Sequence, residues 1–145
     1  MKTVDPELGL RHDLSRGMMG SWRLTWHEDG SIGPGVPDAS FVMLGPQKHQ
    51  TGWLELKAIR TPKQATFRFK IEPSQHQWFA DHVGLIPVYF LVAVGDFIFL
   101  VDGKHHAVLD EPTTIVALTG ISVAQFTKNT IQASLPSFLR SITSI

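Results

Sequence analysis

A chain of 145 residues with 43% hydrophobic and 18% charged residues has the composition of an ordinary globular protein and the length of one domain, so residues 1–145 are read as a single unit. The formal net charge is zero, which argues against generic coating of nucleic acid, and the absence of cysteine excludes disulfide frameworks, thiolate metal sites and cysteine nucleophiles. Charged residues Asp5, Glu7, Arg11, His12 and Asp13 occupy the place of a secretory apolar core, and the longest apolar run, Leu85 to Val94, contains Pro87 and is too short to span a bilayer. No membrane association is expected, and the expected setting is the cytoplasm.

In chain order, Asp5-Pro6-Glu7 opens a helix expected over residues 6 to 19, with Leu8, Leu10, Leu14 and Met18 at helical spacing and Gly17 and Gly20 stopping it. Trp22 to His27 alternates apolar and polar residues, the period of a half-buried strand. Ser40 to Leu44 and Trp53 to Ile59 give two more strands, with Gly45-Pro46 and Gly52 read as the hairpin between them. Thr66 to Ile71 reads as extended, and Pro73-Ser74 starts a helix running to about Val83 before Gly84. Pro87 to Val94 and Phe97 to Val101 read as buried strands joined by the tight turn at Gly95-Asp96. The resulting order is αβββαββ, an α/β (α+β) arrangement of a mixed sheet with flanking helices. Residues 102 to 145 are less legible; Ser134 to Ile145 reads as an amphipathic helix whose apolar stripe packs on the core or on a second subunit.

The chemistry concentrates in Gly35-Val36-Pro37-Asp38 and Trp53-Leu54-Glu55-Leu56-Lys57. Residues i and i+2 of a strand share a face, so Glu55 and Lys57 point one way while Leu54, Leu56 and Ala58 point into the core. Asp38 opens the preceding strand, and antiparallel pairing brings it alongside. Mg²⁺ takes oxygen ligands and keeps several waters, so Asp38, Glu55 and the Leu56 backbone carbonyl suit it, leaving positions for a phosphate oxygen and a nucleophilic water. Lys57 then orients that water and neutralises charge developing on the phosphate. A Glu-x-Lys triplet alone is common by chance; a Pro-Asp pair at a fitting distance upstream makes the combination uncommon.

Between Lys48 and Lys70 the chain carries Lys48, Lys57, Arg60, Lys63, Arg68 and Lys70 against Glu55 alone. Such a strip beside an acidic pair suits a phosphate backbone held over a cation, which makes Lys48, Arg60, Lys63, Arg68 and Lys70 the expected DNA contacts. Among seven histidines, His105-His106 reads as a solvent-exposed pair in a turn, whereas His27, His49 and His76 lie near the site in sequence. Trp78 and Phe79 read as core. Gly33-Pro34-Gly35 lacks a following Lys-Ser/Thr, so no nucleotide cofactor is expected.

Gly-Val-Pro-Asp (35 to 38), Gly-Trp-Leu-Glu-Leu-Lys (52 to 57) and Pro-Ser-Gln-His-Gln-Trp-Phe (73 to 79) together resemble the PD-(D/E)xK nuclease superfamily. Within it they resemble the stand-alone, phage-type virus-type replication-repair nucleases (VRR-NUC), over about residues 5 to 101. The resemblance implies a restriction-endonuclease-like core of αβββαβ order and Mg²⁺- or Mn²⁺-dependent hydrolysis of DNA, with Holliday junction resolution as a known activity of stand-alone members. It places Asp38, Glu55 and Lys57 in the catalytic motif and matches Gln75 to the glutamine that opens the following helix. It also implies a further acidic metal ligand from the first helix, for which Glu7 fits best and Glu28 is the rival. For a phage-encoded member the setting is the host bacterium's cytoplasm. Symmetrical cutting of a four-way junction needs two identical sites, so a homodimer is expected, with Leu135 to Ile145 a candidate contact. A flap or nicking nuclease of lower selectivity, and an inactive relative that only binds DNA, are the alternative readings.

Overall fold

The computed structural model describes residues 5–15, 22–27, 33–44 and 50–143. Asp5 caps the first helix, its carboxylate accepting from the Glu7 N–H at 2.8 Å, and α1 runs Pro6–Ser15. The expected continuation to residue 19 lies outside the described residues. Leu10 and Leu14, four apart, are buried, whereas Leu8 is 49% exposed and faces away from the sheet. Strands β1 (Trp22–Trp26), β2 (Ala39–Met43) and β3 (Gln50–Ile59) form an antiparallel meander. Helix α2 (Pro73–His82) then crosses over to β4 (Val88–Val94), which lies parallel to β3, and β5 (Phe97–Asp102) returns antiparallel.

Gly52 is not part of a turn. It lies inside β3 opposite Phe41, where a Cβ would stand 2.4 Å from the Phe41 ring and 2.9 Å from the Pro87 carbonyl, so glycine is required by the ring that crosses it. The Gly45-Pro46 pair expected at this hairpin lies outside the described residues. Residues 66 to 71, expected to be extended, form no strand; their backbone is tied by one bridge, Phe67 to Thr113, while Phe69 and Ile71 are buried. The second helix begins at Pro73, as expected: Glu72 is its N-cap, and its N–H donates to the Gln75 Oε1 at 2.9 Å.

The C-terminal third completes the same structure. A 3₁₀ turn at Gly103–His105 leads into α3 (His106–Leu109), α4 (Ile115–Ile121), β6 (Ser122–Thr127) and α5 (Ile131–Thr143). Strand β6 adds to the β5 edge, giving a six-stranded mixed sheet in the order β1-β2-β3-β4-β5-β6. Helices α1 and α5 cover one face, where Leu10, Leu14, Ile131, Leu135 and Leu139 meet Phe41, Leu54, Leu56 and Leu100. Helices α2, α3 and α4 cover the other, where Phe79, Leu109 and Leu118 meet Phe90, Val92 and Phe99. Of the α5 stripe, the core takes Leu135 and Leu139, which are fully buried within the chain and unavailable to a partner subunit, with Phe138 packed beside them; Ile142 and Ile145 lie outside the residues whose side chains are described. Among the described residues, no helix is long and apolar enough to cross a membrane.

Candidate active site

Alternation along β3 decides the site. Leu54 and Leu56 point to the α1/α5 face, so Glu55 and Lys57 point to the opposite face, under α2. Glu55 is therefore only 2% exposed, far more enclosed than a surface strand would leave it. The loop before β2 is drawn against the start of α2 by Gly35, whose φ of 79° and lack of a side chain are both needed, because a Cβ would lie 2.1 Å from the Ser74 carbonyl oxygen. That approach carries Asp38 to the end of β2. There its carbonyl accepts from the His27 N–H at 2.8 Å and its own N–H donates to Glu55 Oε1 at 3.1 Å.

A continuous polar network results. Asp38 Oδ2 accepts from the Leu56 N–H at 2.8 Å, one residue along β3 from Glu55. Gln75, in the first turn of α2, donates from Nε2 to Glu55 Oε2 at 2.7 Å and accepts from Lys57 Nζ through Oε1 at 3.1 Å. Lys57 Nζ also donates to the Lys70 carbonyl at 2.8 Å and stands 3.5 Å from Glu55 Oε2. The four side chains named from sequence, Asp38, Glu55, Lys57 and Gln75, thus meet from a loop, a strand and a helix.

Electrostatics follow from the enclosure. Burial, and then the negative charge of Asp38, push the Glu55 carboxyl up to about 8, with Lys57 opposing. A cavity of about 300 Å³ opens beside this pair, with Glu7, Arg11, Trp26, Asp38 and Leu56 among its walls. Glu7 as a whole remains exposed, while its carboxyl, partly withdrawn from water and then repelled by Asp38, is raised above its ordinary range. Glu28, the rival for this position, lies outside the described residues.

Asp38, Glu55 and Glu7 supply the site's carboxyl groups, with the Lys57 ammonium beside Glu55 and the Arg11 guanidinium in the cavity wall. Among the described residues no three His, Asp or Glu side chains are gathered into a ready-made metal cage. The donor set nevertheless fits a hard cation that binds through one or two carboxylates and completes its shell with water and phosphate. The N–H and C=O of a strand residue leave on the same edge, so the Leu56 carbonyl faces the edge on which its N–H meets Asp38.

Compared with known proteins, the chain matches no family model and no curated protein.

The expected DNA contacts are less uniform than the sequence strip. Lys63 is exposed, and Arg60 flanks a second cleft together with Lys128. Arg68 is paired with Asp110 at 3.1 Å and Lys70 with Glu72 at 3.4 Å, whereas Lys48 lies outside the described residues. Trp78 and Phe79 are packed as expected, Phe79 fully buried and stacked on Phe90 at 4.3 Å. His27 bonds Ser40 through its Nε2 at 2.9 Å and lies against Trp53, and His49 is outside the described residues.

Sequence reasoning missed one cluster. His106 is not a freely solvated member of a surface pair: its Nδ1 lies 2.7 Å from that of His76, whose Nε2 meets Asp110 Oδ2 at 2.9 Å. Burial, followed by His76, lowers the His106 pKa. The hydrogen bond from His76 chiefly, and Arg68 beside it, hold the Asp110 carboxyl down at about 2.

Proposed function

We propose that this chain is a Mg²⁺- or Mn²⁺-dependent DNA endonuclease of the PD-(D/E)xK type, with a restriction-endonuclease-like core, acting on branched DNA such as a Holliday junction. One observation carries the reading: Asp38, Glu55, Lys57 and Gln75 join in one hydrogen-bonded network, and Asp38 shares a cavity with Glu7. The αβββαβ order of the first six elements, with β4 parallel to β3 across α2, supports the same core.

Asp38, Glu55 and the Leu56 carbonyl hold the cation, with Glu7 contributing from α1. When bound, Mg²⁺ polarises a phosphoryl oxygen and lowers the pKa of a coordinated water. Glu55 gains most from it, since a buried carboxyl beside a second carboxylate is otherwise costly to ionise. Lys57 orients the attacking water and donates to the phosphate oxygens as their charge grows. In the free protein the Lys57 ammonium donates to the Lys70 carbonyl and to Gln75 Oε1 and stands 3.5 Å from Glu55 Oε2, so donation to phosphate exchanges against these contacts. Gln75 keeps Lys57 and Glu55 in fixed relation during that exchange, because it touches both.

The substrate class is tested by comparing cleavage of four-way junction, flap, single-stranded and linear duplex DNA of matched sequence in Mg²⁺. The reading expects paired nicks near the branch point and little attack on linear duplex. Equal cutting of all four would replace it with an unselective nuclease. Paired cuts call for a homodimer on the junction; Leu135 and Leu139 of the α5 stripe are buried within the chain and do not supply that contact.

A further inference from the structure

Lys57 is held by two acceptors outside its own strand, the Lys70 carbonyl and Gln75 Oε1, and both belong to segments tied to one distant carboxylate. That carboxylate is Asp110, at the end of α3. Its Oδ1 accepts from the Ile71 N–H at 3.4 Å and from Arg68 Nη2 at 3.1 Å. Its Oδ2 meets His76 Nε2 at 2.9 Å, and His76 follows Gln75 in α2.

The Lys70 carbonyl and the Ile71 N–H are the two ends of a single planar peptide group. Asp110 grips one end and Lys57 the other. A carboxylate at the N–H end polarises the amide and makes its carbonyl a better acceptor for the ammonium. The loop that carries this peptide, residues 60 to 72, forms no helix or strand. Buried Phe69 and Ile71 anchor it, together with the pair of backbone bonds between Phe67 and Thr113, at 2.9 and 2.7 Å. Those bonds arise only three residues beyond Asp110. The C-terminal third thereby reaches the site without touching it.

We propose that Asp110 is a positioning residue for Lys57, fixing its ammonium through the Lys70–Ile71 peptide on one side and through His76 and Gln75 on the other. The consequence for cleavage rests on the nuclease reading above; the positioning itself does not, and the two are tested separately.

The experiment records ¹H–¹⁵N spectra of lysine side-chain ammonium groups at low temperature in Mg²⁺-free protein, with Lys57 assigned by its loss in Lys57→Arg. At 13% side-chain exposure and with bonded acceptors, the wild-type Lys57 ammonium is expected to exchange slowly enough to be seen. Asp110→Asn preserves shape but removes the charge, and Asp110→Ser is the second variant; circular dichroism and Tm establish that each is folded. Exchange at Lys57 should accelerate at least about fivefold, and junction cleavage should lose roughly 10- to 100-fold in kcat with KM within about twofold. Unchanged Lys57 exchange in a folded variant overturns the inference, as does a wild-type Lys57 signal already lost to fast exchange. If Lys57 responds but the wild type cleaves no DNA, the positioning stands and the nuclease reading falls. If the wild type cleaves and Lys57 is indifferent, the reverse holds.

Discussion

Replacing Glu55 with glutamine isolates the electrostatic cost built into the site. The folded state holds the Glu55 proton more tightly than the unfolded chain, with the carboxyl raised from 4.5 to about 8. Its contribution to stability is therefore complete below about pH 4.5 and is lost as pH rises through about 8. At 1.36 kcal/mol per unit that displacement caps the loss at about 5 kcal/mol. Relaxation and water penetration around a buried carboxyl reduce such a cost, so we take about 2–3 kcal/mol as the expected size. The substituted glutamine cannot ionise, but its amide would present a donor to Gln75 Nε2 and Lys57, at a pH-independent cost of about 1–2 kcal/mol. Urea unfolding in EDTA should find Glu55→Gln less stable than wild type at pH 4, about equal near pH 5.5 and equal or more stable at pH 9. With 10 mM Mg²⁺ the wild type should recover at high pH and the variant should not. A wild-type-minus-variant difference that stays constant within about 0.5 kcal/mol across the range would show that Glu55 carries no such cost.

Three further outcomes follow from particular contacts. Gln75→Ala removes the side chain that touches both Glu55 and Lys57, and should lower junction cleavage at least about tenfold while a gel-shift assay finds binding retained. Gly52→Ala forces a methyl group into the Phe41 ring and the Pro87 carbonyl, and should cost about 2–3 kcal/mol in denaturant titrations. Leu139→Ala empties a fully buried position on α5 and should cost about 2–5 kcal/mol without changing the oligomeric state seen by light scattering; a stable protein with altered association would contradict the placement of α5 in the core.

The first hundred residues are legible because local pattern and tertiary role agree there. The alternation of β1 and the i, i+2 relation of Glu55 and Lys57 specify faces, and the structure uses those faces. Gly52 misleads because a glycine demanded by a crossing ring looks, in sequence, like a glycine demanded by a turn. Residues 113 to 126 are hard to read for another reason: Ile115, Val116 and Ile121 favour strand, yet Thr114 caps a helix through Ala117 and Leu118 buries itself beneath it, so packing overrides propensity. The Asp38, Glu55, Lys57 and Gln75 network is readable because its members sit in recognisable motifs, with each bond spanning 17 to 20 residues. Asp110 is not, since it meets His76 across 34 residues and carries no motif of its own.

The proposed metal-dependent phosphodiester cleavage by Asp38, Glu55 and Lys57 is most directly tested by single-turnover cleavage of a four-way junction in Mg²⁺ by wild type, Asp38→Asn and Lys57→Ala. Product is expected from wild type alone, with a loss of at least about 100-fold in each variant and junction binding in gel shifts within a few-fold of wild type. Cleavage by both variants at the wild-type rate, or a wild-type protein that binds junctions and never cuts them in Mg²⁺ or Mn²⁺, would contradict that assignment.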